Sequence, residues 1–156
     1  MFSYIYEWLS GMYSPDLNDY LWGFNCNTQG YTDPECHTFF GLLMVVTSIA
    51  VAAIYYFVIN SPRFNHKWHW TLFMLLAFAT NFVIGFYFTN ADLNNGNIPD
   101  CLMFMRDADG NITSQLIYQS DCLMFGLENA IYAIVIYFLA SVGFKFLSRN
   151  CKYVPF

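Results

Sequence analysis

Charge is what this sequence has least of. Asp, Glu, Lys and Arg together make up only 11% of its 156 residues, where a water-soluble globular domain carries about a quarter. Basic residues are the scarcest: six Lys and Arg stand against eleven Asp and Glu, and the six form no cluster. Binding to nucleic acid requires neutralised phosphates, so no nucleic-acid partner is expected. The segment from Met1 to Leu9 has no basic residue and carries Glu7. A cleavable signal needs a positive start ahead of an apolar run, so the N-terminus is expected to be retained.

Chemical signatures are missing as well. There is no P-loop, dinucleotide fingerprint, nucleophile elbow or HExxH pattern. No internal repeat, Pro-rich linker or low-complexity tract divides the chain. His37, His66 and His69 do not combine with Cys or acid spacings that would hold zinc. No metal or cofactor is expected, and the chain does not read as an enzyme.

Apolar residues are abundant: 57% are hydrophobic and 21% aromatic. A soluble unit of this length has no interior large enough for them, and a bilayer is the natural solvent for the excess. Phe39 to Asn60 is free of charge over a length of about 33 Å, enough for a hydrocarbon core of roughly 30 Å. Trp70 to Ala91 repeats the pattern. A third run is uncharged from Asn129 to Phe144, with Glu128 at its outer end. The expected fold is an all-α membrane protein, a single unit with transmembrane helices at about 39–60, 69–91 and 123–145.

The connections give these helices a direction. Five of the six basic residues fall in 61–68 and in the tail from Lys145 through 146–156, with no acid beside them. By the positive-inside rule these regions are cytoplasmic. Regions 1–38 and 92–122 are then extracytoplasmic, and the N-terminus lies outside an inner or plasma membrane. Tyr55, Tyr56, Trp68 and Trp70 fall near the inner ends of the first two spans, and Phe39, Phe40 and Tyr87 near the outer ends. There Tyr and Trp rings favour the headgroup level.

The first 24 residues show Phe2, Tyr4, Ile5, Trp8, Leu9, Met12 and Tyr13 at roughly helical spacing, interrupted by Gly11, Ser14 and Pro15. This predicts short amphipathic helices, lying at the interface or packed on the bundle, with Asp16 as a cap for the second. In the outer loop, Asp109-Gly110 between two partly alternating runs predicts a small β-hairpin. Asp107 and Asp109 fail the calcium-loop pattern, because Ile112 and Tyr118 occupy its glycine and bidentate positions. Asn111-Ile112-Thr113 is a glycosylation sequon only in a eukaryotic source.

Cys26, Cys36, Cys101 and Cys122 are predicted outside and Cys151 inside. An even outer set fits a disulfide framework. Local loop closure favours Cys26–Cys36 and Cys101–Cys122, with a crossed pairing as the alternative. Membrane thiol oxidases are similar in placing two cysteine pairs outside, but the C-x-x-C spacing common among them is missing here.

Within the spans, Ala77, Asn81, Gly85 and Thr89 share one helix face at intervals of four, and Thr80 adjoins it. Ser48 and Ala52, and Ala133, Ala140 and Gly143, give small positions on the other two. Small residues and a carboxamide let helices approach closely and bond to one another. Glu128 is expected near the outer surface, snorkelling or ringing a pore mouth, with Arg106 as its counter-ion. The leading functional expectation is a channel- or pore-like homo-oligomer in which Asn81, Thr80, Gly85 and Glu128 line a path or pack helices. The alternatives are a non-catalytic transmembrane scaffold or anchoring subunit of a larger complex, and a thiol–disulfide exchange protein. The expected partners are the lipid bilayer and other membrane subunits, copies of this chain included.

Overall fold

The computed structural model describes residues 3–59 and 66–148. Arg63, Arg149, Cys151 and Lys152, and with them most of the two regions expected to be cytoplasmic, lie outside the described residues. Among the described residues the fold is mostly helical, with two small two-stranded sheets. Among the described residues three helices are long and apolar enough to cross a membrane: Cys36–Ile59, Lys67–Asn95 and Gln119–Lys145.

The chain opens with 3-10 turns at Ser3–Trp8 and Ser10–Met12, then helix α1 at Pro15–Leu21. Ser14, not Asp16, is the N-cap: its Oγ accepts from the Leu17 amide at 3.3 Å. Pro15 explains the shift, because proline favours the first helical position and leaves Asp16 within the first turn. The helix ends at Gly23, whose φ of 81° belongs to the left-handed region. A Cβ there would collide with the Asp33 carbonyl. Strands β1 (Phe24–Asn25) and β2 (Gly30–Tyr31) then pair antiparallel.

Helix α2 spans Cys36–Ala53 and continues as a π-helical segment, Ile54–Ile59. Helix α3, Lys67–Asn95, runs four residues past the uncharged stretch that predicted it. Polar Asp92 and Asn94 prolong it, and Gly96 stops it with a φ of 70° while the Asn97 amide donates to the Asp92 carbonyl at 3.0 Å. That bond, reaching back from beyond the terminal glycine, closes the last turn. Helix α4 (Asp100–Met103) leads into strands β3 (Phe104–Arg106) and β4 (Ile112–Gln115), the hairpin that Asp-Gly predicted. Its turn is held by the Asp107 carboxylate, which accepts from the amides of Asp109 and Asn111 at 3.1 and 2.8 Å. Helix α5, Gln119–Lys145, completes the set.

Contacts within the chain group it into two compact units. One comprises Met1–Leu42 and Ile84–Glu128, the other Leu43–Val83 and Asn129–Phe156. The first has an aromatic interior: Phe125 lies 5.1 Å from Phe40, 5.7 Å from both Tyr6 and Tyr13, and 5.9 Å from His37. Tyr6, Tyr13, Leu17 and Leu21 are buried there, so the apolar face of the N-terminal turns packs on protein. Trp8 stays 90% exposed.

The second unit packs Ala52, Ala77 and Tyr137 together, with Val51, Trp70 and Phe73 around them. Tyr55 and Tyr56 are buried beside Phe73 and Phe144. The sequence placed them in a headgroup belt; the π-helical segment instead carries these two adjacent rings into the interior, leaving Phe57 and Val58 exposed. Trp68 and Tyr87 are exposed.

Candidate functional site

The polar side chains buried in the three long helices are the natural candidates, since a buried polar group needs a partner. On α3, Ala77, Asn81, Gly85 and Thr89 are all buried, and Thr80 beside them is half-buried. In the second unit, the Asn81 amide donates to the Ala77 carbonyl at 2.9 Å and to Ser48 Oγ at 3.4 Å. Its Oδ1 accepts from Thr47 Oγ1 at 2.8 Å. The Asn81 backbone carbonyl accepts from Asn129 Nδ2 at 2.9 Å. One carboxamide position thus ties α3 to both α2 and α5. Towards the other end of this unit, Trp70 Nε1 donates to Ser141 Oγ at 3.2 Å, and the Tyr137 hydroxyl donates to the Trp70 carbonyl at 3.4 Å. Of the small positions expected on the other spans, Ser48, Ala52 and Ala133 are buried, Ala140 is half-buried and Gly143 is exposed.

Glu128 departs from its expected place. It has no exposed surface, so it neither snorkels nor rims the protein. It lies one helical turn beyond Phe125 on the inward face of α5, and spacing of three or four residues keeps such positions together. The Tyr13 hydroxyl is the polar side-chain group that faces its carboxylate. Arg106, expected as its counter-ion, bonds elsewhere: it pairs with Asp100 at 3.3 Å and donates to the Gly110 carbonyl at 3.0 Å. Hairpin geometry carries the Arg106 side chain back over its own turn.

Sequence reasoning missed His37. It is fully buried in the first unit, stacked on Tyr6 at 4.8 Å and edge-on to Trp22 at 5.1 Å. Its Nε2 lies 3.3 Å from Asn18 Oδ1, and so donates to it. The aromatic spacing of the N-terminal turns was the available signal, but nothing in it named the histidine as their partner. Asp121 anchors the same region: its two oxygens accept from the Ser14 and Tyr118 amides at 3.1 and 2.7 Å. Among the described residues no group of three His, Cys, Asp or Glu side chains gathers to hold a metal.

The cysteines correct the local pairing. Cys26 is joined to Cys101, with their Cα atoms 6.3 Å apart, and Cys36 and Cys122 are free. Local loop closure ignored the helices: Cys36 opens α2 and Cys122 lies in the first turns of α5, where it is buried. Cys26 and Cys101 sit instead next to β1 and in α4, within the standard range of disulfide separations. The crossed bridge ties the N-terminal region to the hairpin loop. Nearby, burial and then the Asp92 carboxylate hold the Tyr20 phenol well above its ordinary pKa.

No family model, curated protein or solved structure matches this chain.

Proposed function

We propose that this chain is a non-catalytic three-span membrane subunit that works by anchoring or organising other membrane proteins. The observation that carries the reading is where the span polar groups point. Asn81 and its partners Ser48 and Thr47 bond within the chain, while large apolar side chains such as Leu72, Leu75, Leu76 and Val83 are exposed on α3. Such a surface is suited to lipid and to other transmembrane helices. In this reading the N-terminus and the hairpin lie outside an inner or plasma membrane, and the loop between α2 and α3 and the tail lie in the cytoplasm, following the basic residues.

A pore between copies of this chain is the competing reading. It would need lining residues other than Asn81 and Glu128, since both are fully buried within the protomer. Thiol–disulfide exchange rested on two outer cysteine pairs, and one pair is bridged among the described residues. Ion flux into liposomes containing purified protein separates the first two. The subunit reading expects no flux above empty liposomes under any membrane potential. Reproducible flux above that of empty liposomes would sink it.

A further inference from the structure

The N-terminal unit carries a feature that helix packing does not require. A pocket of about 330 Å³ opens between the first 3-10 turn, α1 and β2, lined by Tyr4, Glu7, Asn18, Trp22 and Tyr31. Three of these five are aromatic and one is a carboxylate. The rings are held in place. Trp22 is edge-on to Tyr4 at 6.2 Å and to His37 at 5.1 Å. Tyr31 packs on Phe24 at 5.6 Å, and its hydroxyl donates to Asp19 at 2.8 Å. Asn18 is fixed by its bond to the buried His37. Trp22, Tyr31 and Asn18 are therefore positioned before any ligand arrives.

The electrostatics choose the sign of that ligand. Residues 1–38 contain Glu7, Asp16, Asp19, Asp33 and Glu35 and no Lys or Arg. The whole unit, Met1–Leu42 with Ile84–Glu128, holds all eleven acids of the chain and one of its six basic residues, Arg106, which is paired with Asp100. An anion is repelled from such a surface and a cation is drawn to it. The chemistry of the walls chooses the kind of cation. Aromatic faces are poor ligands for a metal ion, but they attract an organic ammonium through the ring quadrupole. The volume is at the small end of ligand sites, which suits a headgroup-sized cation.

We infer that this pocket binds an alkylammonium group of the choline type through Tyr4, Trp22 and Tyr31, with Glu7 neutralising its charge. The group could belong to a soluble amine or to a lipid headgroup, and the chemistry of recognition is the same for both.

The test is calorimetric titration of the full chain, held in nanodiscs of phosphatidylglycerol, with choline and with its uncharged carbon isostere 3,3-dimethylbutan-1-ol. Choline is expected to bind saturably and the isostere at least about 10-fold more weakly, since the isostere keeps the shape and loses the cation–π attraction. Tyr4→Leu and Glu7→Gln alter exposed side chains and are expected to fold normally, as judged by unchanged thermal unfolding. Each is expected to weaken choline by about 3- to 10-fold. Repeating the titration in phosphatidylcholine nanodiscs identifies the source. A loss of apparent choline affinity there means that the headgroup occupies the pocket, and an unchanged affinity means a soluble amine. Equal binding of choline and the isostere would overturn the inference. So would no saturable choline binding in phosphatidylglycerol, or a folded Tyr4→Leu variant that binds like the parent.

Discussion

Replacing Asn81 by Leu separates a packing role from a pore-lining role. The substitution keeps the size of the side chain and removes two bonds from α3 to α2, those with Thr47 and Ser48. The bond to the Ala77 carbonyl lies within α3. The Asn129 bond is made to the Asn81 backbone and survives. The Thr47 hydroxyl does not become an orphan, because it also reaches the Leu43 and Met44 carbonyls at 2.8 and 3.1 Å. Hydrogen bonds between membrane helices average about 0.6 kcal/mol, so losing two costs about 1 kcal/mol. The assay is reversible unfolding in mixed micelles, followed by helicity, on Asn81→Leu, Thr47→Val and the double variant. The cycle is expected to give a coupling near 0.6 kcal/mol between the two residues. No coupling would refute the packing geometry. A stability unchanged by Asn81→Leu, together with an altered ion flux, would refute the packing role itself.

Other perturbations reach other parts of the fold. Cys26→Ser or Cys101→Ser is expected to lower stability by about 2–4 kcal/mol, and non-reducing peptide mapping should show the bridge intact in Cys36→Ser and Cys122→Ser but not in these two. Gly23→Ala is expected to cost at least about 1–2 kcal/mol by thermal unfolding, from the left-handed backbone and the collision with Asp33. Ser14→Ala should cost about 1 kcal/mol, the usual loss for an N-cap. Because the folded-state pKa of Tyr20 is raised, the folded protein holds that phenolic proton more tightly than the unfolded chain does. Its stabilising contribution is full below about pH 10, the ordinary tyrosine value, and is lost as pH rises above it. Alkaline unfolding curves should therefore flatten in Tyr20→Phe.

The three long helices were legible because an uncharged run of that length has few other uses. Their ends were less so: Asp92 and Asn94 look like loop residues, yet they extend α3 to the stop at Gly96. The face Ala77–Asn81–Gly85–Thr89 was readable from its spacing of four, and all four residues are buried. Glu128 was not, because position along a helix gives depth and says little about which side meets another helix when apolar residues surround it. Tyr55 and Tyr56 were misplaced for a related reason, since no sequence signal announces a π-helical segment. The β3–β4 hairpin was visible through Asp109-Gly110, while β1–β2, with two residues per strand and no such pair, was not. Disulfide connectivity depended on tertiary placement that local spacing does not encode.

The most direct measurement of the proposed role is the composition and mass of the complex extracted from its own membrane in polymer-bounded nanodiscs, read by native mass spectrometry. A subunit that anchors other proteins should emerge at a fixed ratio with different membrane chains, and that ratio should persist when expression is raised together with theirs. Recovery of this chain alone, or only as a ring of identical copies, would contradict it.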